Sequence, residues 1–299
     1  MALRLALVLV ALALSLAVVP AAGPADFLSA EPVLWGARNI YSPTTLVYGG
    51  IRRLWFSGWL SASNEDAICF SWETAPGSWA APVEVLRKPG YHVGDPTVIA
   101  HPQQPSWLFM YYTQSSPQAP TTSNVVGFAS SVDGGVTWWD HGIVIGQDNG
   151  TNLCGAWSPS ALVVGEEIWL YFHGNGACLG PYRVRLALNG WQFLGIDFVQ
   201  VPFFAVNLDV SRQGGRFVLW ADQPNLHGIS RYVSDDGLYF TTHASDVNPI
   251  IGSSSALVNT PHCEMVAADH CRLYFGYSPS GSVTDFESLH RWTFQTAVE

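Results

Sequence analysis

Five times along this chain an apolar segment opened by a polar or proline turn is followed, after a few residues, by a second segment rich in Trp, Tyr and Phe. Ser42-Pro43-Thr44 leads to Leu54-Trp55-Phe56, and Asp95-Pro96-Thr97-Val98-Ile99 leads to Leu108-Phe109-Met110-Tyr111-Tyr112. Ser158-Pro159-Ser160 leads to Ile168-Trp169-Leu170-Tyr171, Asp209-Val210-Ser211 to Phe217-Val218-Leu219-Trp220, and Glu264-Met265-Val266 to Leu273-Tyr274-Phe275. With 42, 95, 158, 209 and 264 taken as equivalent, the spacings are 53, 63, 51 and 55 residues. A unit of this length built from strands is a propeller blade, because one such sheet cannot bury its own faces and must stack on its neighbours. The expected fold class is therefore all-β, a five-bladed β-propeller.

Strand-like segments follow the same count. The first unit offers 44–47, 54–58, 67–72 and 81–86, and the second 97–100, 108–113, 125–131 and 143–145. The third offers 160–164, 168–173, 182–188 and 193–198. The fourth has 208–212, 217–221, 229–234 and a weak outer strand before Pro249; the fifth has only 264–267, 272–277 and 288–294. The last unit is one strand short, while 25–36 supplies one strand too many at the other end. Pairing 27–35 with 288–294 would close the ring and remove both free edges. The predicted domains are a signal peptide over 1–22 and one propeller over 25–299.

The N-terminal reading rests on Arg4, the apolar run 5–19 and the small residues Pro20-Ala21-Ala22-Gly23, the layout of a cleaved secretory signal. The run is short for a bilayer-spanning helix. The expected location is extracellular or periplasmic, with no membrane attachment after cleavage. Export makes disulfides plausible chemistry for the five cysteines. Cys263 and Cys271 bracket a predicted hairpin, Cys154 and Cys178 lie near strand ends of the third unit, and Cys69 is left over as a buried thiol. Asn149-Gly150-Thr151 fits a glycosylation sequon.

Charge narrows the partners. The formal net charge is −10 and Lys88 is the only lysine, so nucleic-acid phosphates and anionic lipid surfaces would be repelled. An acidic chain with 13 Trp and 11 Tyr suits an oligo- or polysaccharide partner. A monomer is expected.

Ser131-Val132-Asp133-Gly134-Gly135-Val136-Thr137-Trp138 resembles the Asp-box, S-x-D-x-G-x-T-W, of sialidase-like and other propellers, and Ser234-Asp235-Asp236-Gly237 is a looser copy. Such a turn joins outer strands, so Asp133 is a structural residue. The starts of the innermost strands converge on the axis, and residues two apart share a face. This selects Ile40 and Ser42, Val93 and Asp95, Ala156 and Ser158, Asn207 and Asp209, and His262 and Glu264. Arg38, Asn39, His92, Trp157, His173 and Asp222 are rim candidates.

These features together resemble the five-bladed glycosidases: arabinanases and β-xylosidases of glycoside hydrolase family 43, and families 32 and 68. The resemblance spans the mature chain and rests on short phrases. It implies an acidic first-blade base or nucleophile, a second-blade Asp that positions substrate, and a third-blade Glu as acid. Asp95 matches the second. Ser42 and Ser158 stand where the other carboxylates belong, so the pattern is rearranged.

Asp95, Asp209 and Glu264 are the alternative carboxylate set, since glycoside hydrolysis needs two carboxyl groups flanking the scissile bond, one of them protonated. Ser42, His92, Trp157, Ser158, Asn207, Asp222 and His262 are the candidate substrate contacts. No cofactor is required, and no zinc-like spacing occurs; a cation in the channel is implied by the resemblance alone. The sequence thus supports a secreted glycoside hydrolase, with a non-catalytic glycan-binding propeller as the alternative. A third reading, a protein-interaction surface, calls for an exposed apolar patch and no acidic tunnel mouth.

Overall fold

The computed structural model describes residues 25–26, 30–35, 38–61, 65–116, 124–146, 155–175, 178–202, 205–223, 228–243, 248–253, 256–267, 270–281 and 286–295. The predicted signal segment 1–22, the sequon at Asn149 and Cys154 lie outside these residues.

Two short strands, β1 (Ala25–Asp26) and β2 (Glu31–Trp35), precede the repeats. The first blade contains β3 (Arg38–Tyr48), β4 (Ile51–Trp59), β5 (Ala67–Ala75), β6 (Ser78–Trp79) and β7 (Val83–Leu86). The second is β8 (His92–Ala100), β9 (Leu108–Ser115), β10 (Val125–Ser131) and β11 (Trp139–Ile145). The third is β12 (Ala156–Val164), β13 (Glu167–Gly174), β14 (Gly180–Ala187) and β15 (Phe193–Phe198). The fourth is β16 (Val206–Gln213), β17 (Arg216–Gln223), β18 (Gly228–Ser234) and β19 (Ile251–Gly252); the fifth is β20 (Leu257–Ala267), β21 (His270–Ser278) and β22 (Ser288–Gln295).

Within each blade the main strands run antiparallel in chain order. The innermost strands touch in a closed circuit, β3 to β8 to β12 to β16 to β20 and back to β3. That circuit is the five-bladed propeller. The strand surplus and deficit resolve as expected: β2 pairs with β22, Glu31 opposite Arg291 and Trp35 opposite Ser288. The closure goes one step further than expected, because β1 adds to the fourth blade, parallel to β19. The fourth outer strand follows Pro249 rather than preceding it.

The apolar core is five layers, one between each pair of adjacent blades. Trp55 and Phe70 of the first blade pack on Val93 and Met110 of the second, and Phe128 of the second lies with Leu170 and Phe172 of the third. Tyr171 meets Leu219 and Phe240, Trp220 meets Phe275, and Tyr274 meets Leu54 and Phe56. Burying each such side chain is worth about 1.5–3 kcal/mol, so stacking of blades is the principal favourable term. Both Asp-box turns clip one blade to the next. Ser131 and Asp133 satisfy the amides of Gly135, Val136 and Thr137, which leaves the Gly135 carbonyl free to accept from Trp55 Nε1 at 2.9 Å. Gly237 accepts from Tyr171 in the same way, at 2.9 Å.

Cys263 and Cys271 are bridged, with Cα atoms 5.7 Å apart. Cys178 is disulfide-bonded, and Cys69 is free and buried, its thiol pKa pushed up by that burial.

Candidate active site

Each innermost strand breaks its ladder at an equivalent place near its start. The register shifts fall between 41 and 44, 94 and 97, 157 and 160, 206 and 209, and 259 and 262. The residue inside each break has a left-handed backbone: Ser42, Asp95, Ser158, Asn207 and Thr260, with φ between 46° and 53°. Non-glycine residues seldom adopt this conformation, and five equivalent instances around one axis mark a constrained ring. The true equivalents are therefore 42, 95, 158, 207 and 260, not 42, 95, 158, 209 and 264. Proline follows four of them, whereas Leu208 follows Asn207, so the fourth blade lacks the punctuation that would have aligned it.

Two residues beyond each break, a side chain reaches the main chain of the next blade. Thr44 Oγ1 accepts from the Val98 N–H (3.5 Å), Thr97 Oγ1 from Ala161 (3.1 Å), and Ser160 Oγ from Val210 (2.9 Å). Asp209 Oδ2 accepts from Cys263 (2.8 Å), and His262 Nε2 completes the circle at Thr45 Oγ1 (3.1 Å). His262 Nδ1 also lies 3.3 Å from Asp209 Oδ1. Burial alone would lower the His262 pKa, but the Asp209 carboxylate beside it raises it on balance. Asp209 and His262 are thus fourth and fifth members of an inter-blade ring whose other members are hydroxyls.

On one side of this ring the axis opens into a cavity of about 540 Å³. Of the residues singled out from sequence, His92, Asp95, Trp157, Asn207 and Asp222 line it. Asp95 and Asn207 also face a second, much narrower chamber of about 20 Å³, which holds Ser42, Ser158, Asp209 and His262 as well. Glu264 reaches neither. It receives Arg52 Nε at 2.8 Å, Arg272 Nη1 at 3.2 Å and the Tyr274 hydroxyl at 3.2 Å, and Arg52 also pairs with Glu73. Glu264 is the hub of an ion-pair network between the fifth and first blades, a consequence of its position four residues past the break.

The cavity contains two groups that the sequence reading passed over. Asp66 lies just before β5, and strands 2 and 3 of a blade join at the same end of the molecule as the start of strand 1. That parity is the signal that could have found it. Its Oδ1 accepts from Asn39 Nδ2 (2.9 Å) and Trp59 Nε1 (2.6 Å). His92 Nδ1 sits 3.1 Å from Asp66 Oδ2 and 3.0 Å from its main-chain nitrogen, so a protonated ring donates to the carboxylate and a neutral ring accepts from the amide. The hydrogen bond to Asp66 raises the His92 pKa. Tyr41 is the second group. Burial, with Asp66 and Asp95 nearby, holds its hydroxyl well above the usual range.

Asp95 and Asp222 are carboxyls shifted upward by burial. For Asp95, hydrogen bonds from Ser42 Oγ (2.6 Å) and Thr113 pull the other way without cancelling it. Asp222 is raised well above its ordinary value although Asn207 Nδ2 (2.5 Å) and the Thr260 N–H (2.8 Å) donate to it, and Asp95 adds repulsion. Desolvation disfavours the charged form, so these groups hold protons at pH values where exposed aspartates are ionised. Trp157, Phe286, Leu257 and Val258 add apolar surface to the lining, with the Phe286 ring tilted against Tyr41 at 5.4 Å. Among the described residues no Arg or Lys lines the cavity.

The arrangement gathers two carboxyls whose burial favours the protonated form, a third held by Asn39, Trp59 and His92, and aromatic rings in one chamber. Among the described residues no group of three or more His, Cys, Asp or Glu side chains is placed to hold a metal ion.

No family model and no curated protein matches the chain. Solved structures do. An arabinanase from Bacillus subtilis superposes with a TM-score of 0.63 at 15% identity, covering 87% of this chain and 96% of that one. A GH43_1 enzyme from Xanthomonas citri solved with xylotriose gives 0.63 at 12% identity over 90% of both chains, and an α-L-arabinofuranosidase from Lactobacillus brevis gives 0.64 at 11%, covering 87% and 93%. At such identities the likeness is one of architecture: the chain has the five-bladed propeller fold of these GH43 glycoside hydrolases.

Proposed function

We propose that this protein is a glycoside hydrolase that works in the axial cavity on a neutral saccharide. The observation that carries the reading is the gathering of Asp66, Asp95 and Asp222 around one chamber of about 540 Å³ that Trp157 and Phe286 also line. Support for a saccharide comes from the lining, where Trp157 and Phe286 suit the apolar face of a sugar ring while the carboxyls and Asn207 suit its hydroxyls. Further support comes from the GH43 neighbours, one of which was solved with xylotriose.

In this reading Asp222 is the general acid, because burial raises its pKa well above the ordinary value and so favours the protonated form. It protonates the glycosidic oxygen as the bond to the anomeric carbon breaks. Asp66 faces the oxocarbenium-like centre as the carboxylate partner, its orientation fixed by Asn39 and Trp59. Water then supplies the hydroxyl of the new reducing end, and its proton restores the acid. Asp95 lies between them electrostatically and sets how firmly Asp222 holds its proton. Export through the N-terminal segment would place this activity outside the cell.

The test is turnover of arabino- and xylo-oligosaccharides by wild type, Asp222→Asn and Asp66→Asn. Loss of turnover by at least about a hundredfold with sugar binding retained is the expected result, since acid–base groups contribute that much or more. Unchanged turnover in both variants would refute the assignment. The second reading, glycan binding without turnover, is favoured by one observation: Ser42 and Ser158 occupy the ring positions where family 43 carries carboxylates. It predicts binding by wild type, weaker binding by both variants, and no product from any of the three.

A further inference from the structure

A second cavity, of about 530 Å³, lies away from the axis between the second and third blades. Phe128, His141 and Ile143 line it from one blade, Trp191 and Phe193 from the other, and among the described residues no Asp, Glu, Lys or Arg contributes to it. The surface beside it carries the two most exposed aromatic rings among the described residues, Trp139 at 76% and Trp191 at 62%, with Phe193 at 46%. Apolar rings left in water are the ones that call for an occupant.

These rings are held in place rather than merely left outside. His141 occupies a bulge in β11, where Phe128 pairs with Gly142 and Ala129 with Asp140. The bulge turns the imidazole onto Phe128, with centroids 5.0 Å apart and planes within 23°, and Ser130 Oγ fixes it through Nε2 at 2.8 Å. Trp139 continues the stack, nearly parallel to His141 at 15°. The pile ends inside the core on Tyr111. On the facing blade Asn189 Oδ1 accepts from the main-chain N–H groups of Trp191 (3.2 Å) and Gln192 (3.0 Å), which sets the turn that presents the indole. Gly190 is required there, since its φ is +89° and a Cβ would lie 2.6 Å from Phe128 Cζ.

We infer that this inter-blade face is a second saccharide-binding site, one that holds a neutral polysaccharide chain by stacking on Trp139 and Trp191. The chemistry is selective in three respects. Flat, prefixed rings match the apolar faces of successive sugar residues and cost little ordering on binding. A lining without formal charge, on a chain of net charge −10, leaves nothing to neutralise an acidic polymer. The polar groups of the rim, such as the Asn189 amide, are neutral donors and acceptors suited to hydroxyls. The site lies on outer strands, so it would retain polymer without occupying the axial chamber, and its ligand class follows the reading of that chamber as a saccharide site.

The experiment is retention of the full chain by arabinan, xylan and β-glucan, with polygalacturonate as the acidic control, in native affinity gels. Wild type, Trp139→Ala/Trp191→Ala, Trp139→Phe/Trp191→Phe and Asp222→Asn are compared, each checked by circular dichroism. Wild type should be retarded by at least one neutral polymer and not by polygalacturonate. The double alanine variant should bind that polymer at least tenfold more weakly while its turnover of a short oligosaccharide, or its binding of one, stays within twofold of wild type. The phenylalanine pair should recover much of the retention, and Asp222→Asn should keep it. Equal retention of wild type and the alanine pair overturns the inference, as does no retention of wild type on any neutral polymer. A wild-type dimer in gel filtration that the alanine pair converts to monomer also overturns it, by making the face a protein interface. Loss of turnover assignments at Asp222 would leave these outcomes unchanged, so the two readings fail separately.

Discussion

Replacing Asp209 by alanine distinguishes a ring-closing residue from a catalytic one. The carboxylate takes the Cys263 N–H at 2.8 Å, lies 3.3 Å from His262 Nδ1 and receives Ser160 Oγ at 3.3 Å, with only 9% of the residue exposed. Its removal leaves the buried Cys263 amide without an acceptor and takes from the buried His262 ring the carboxylate that raises its pKa. Breaking a buried pair in this way costs about 3–5 kcal/mol, a large part of the 5–15 kcal/mol that separates folded from unfolded domains. At roughly 2–4 °C per kcal/mol for a domain of this class, Tm should fall by roughly 10 °C. Stability should also lose part of its pH dependence. The His262 pKa is raised in the folded state, so its contribution is fully present below the unfolded value near 6.5 and disappears as pH rises through the folded value. His92 shifts in the same direction, hence the comparison belongs in a His92→Gln background. In that background, urea unfolding at pH 6 and pH 9 should show a larger loss with pH for the Asp209 chain than for Asp209→Ala. A variant that melts within about 2 °C of its parent, with the same pH dependence, would refute the clip argument and return Asp209 to the catalytic candidates.

Two further substitutions follow from the same geometry. In Gly94→Ala the new Cβ would sit 2.8 Å from Ser57 Oγ and 3.3 Å from Tyr41 Oη; overpacking of this kind costs about 1–3 kcal/mol, and displacement of Tyr41 should also weaken saccharide binding, measured by calorimetry beside thermal melts. Asp133→Ala removes a carboxylate that Thr137, Ser131 and the Val136 amide hold, against a burial penalty, at a pKa of about 2. Stability should drop by about 0.5–1.5 kcal/mol at pH 7, the solvent around this exposed turn taking up part of the loss, with turnover and binding unchanged, and the deficit should shrink as pH falls through the folded pKa of about 2; an intact melting curve would show that the turn holds without its carboxylate.

The fold was legible because a propeller writes itself into sequence by repetition. Every blade needs the same apolar faces, so Trp55, Tyr111, Tyr171, Trp220 and Tyr274 recur in step on the second strands and all end up fully buried. The exchange of the N-terminal strand was legible for a related reason: an unpaired edge has to find a partner, and the strand count names it. Local turn chemistry was equally readable, since Asp133 acts on amides only three and four residues away.

The site was legible only where a local signal coincided with an axial position. Asp95 announced itself through the proline that follows it. Asn207 carries the same left-handed backbone, but Leu208 follows it and gives no mark of its register; Thr260 does carry the mark in Pro261, and counting from Glu264 instead passed over it and promoted a residue that the fold engages in an ion-pair network with Arg52 and Arg272. Asp209 and Thr44 hold equivalent places in one ring, but a carboxylate there resembles a catalyst and a hydroxyl does not. Asp66 and Asp222 come from different blades, 156 residues apart in the chain, and nothing between them specifies that they share a chamber. Periodicity is a property of one strand and its neighbours, so the sequence determined the blades. Convergence on an axis, and the desolvation that raises Asp95 and Asp222, exist only after all five blades have closed, and these the tertiary structure decided.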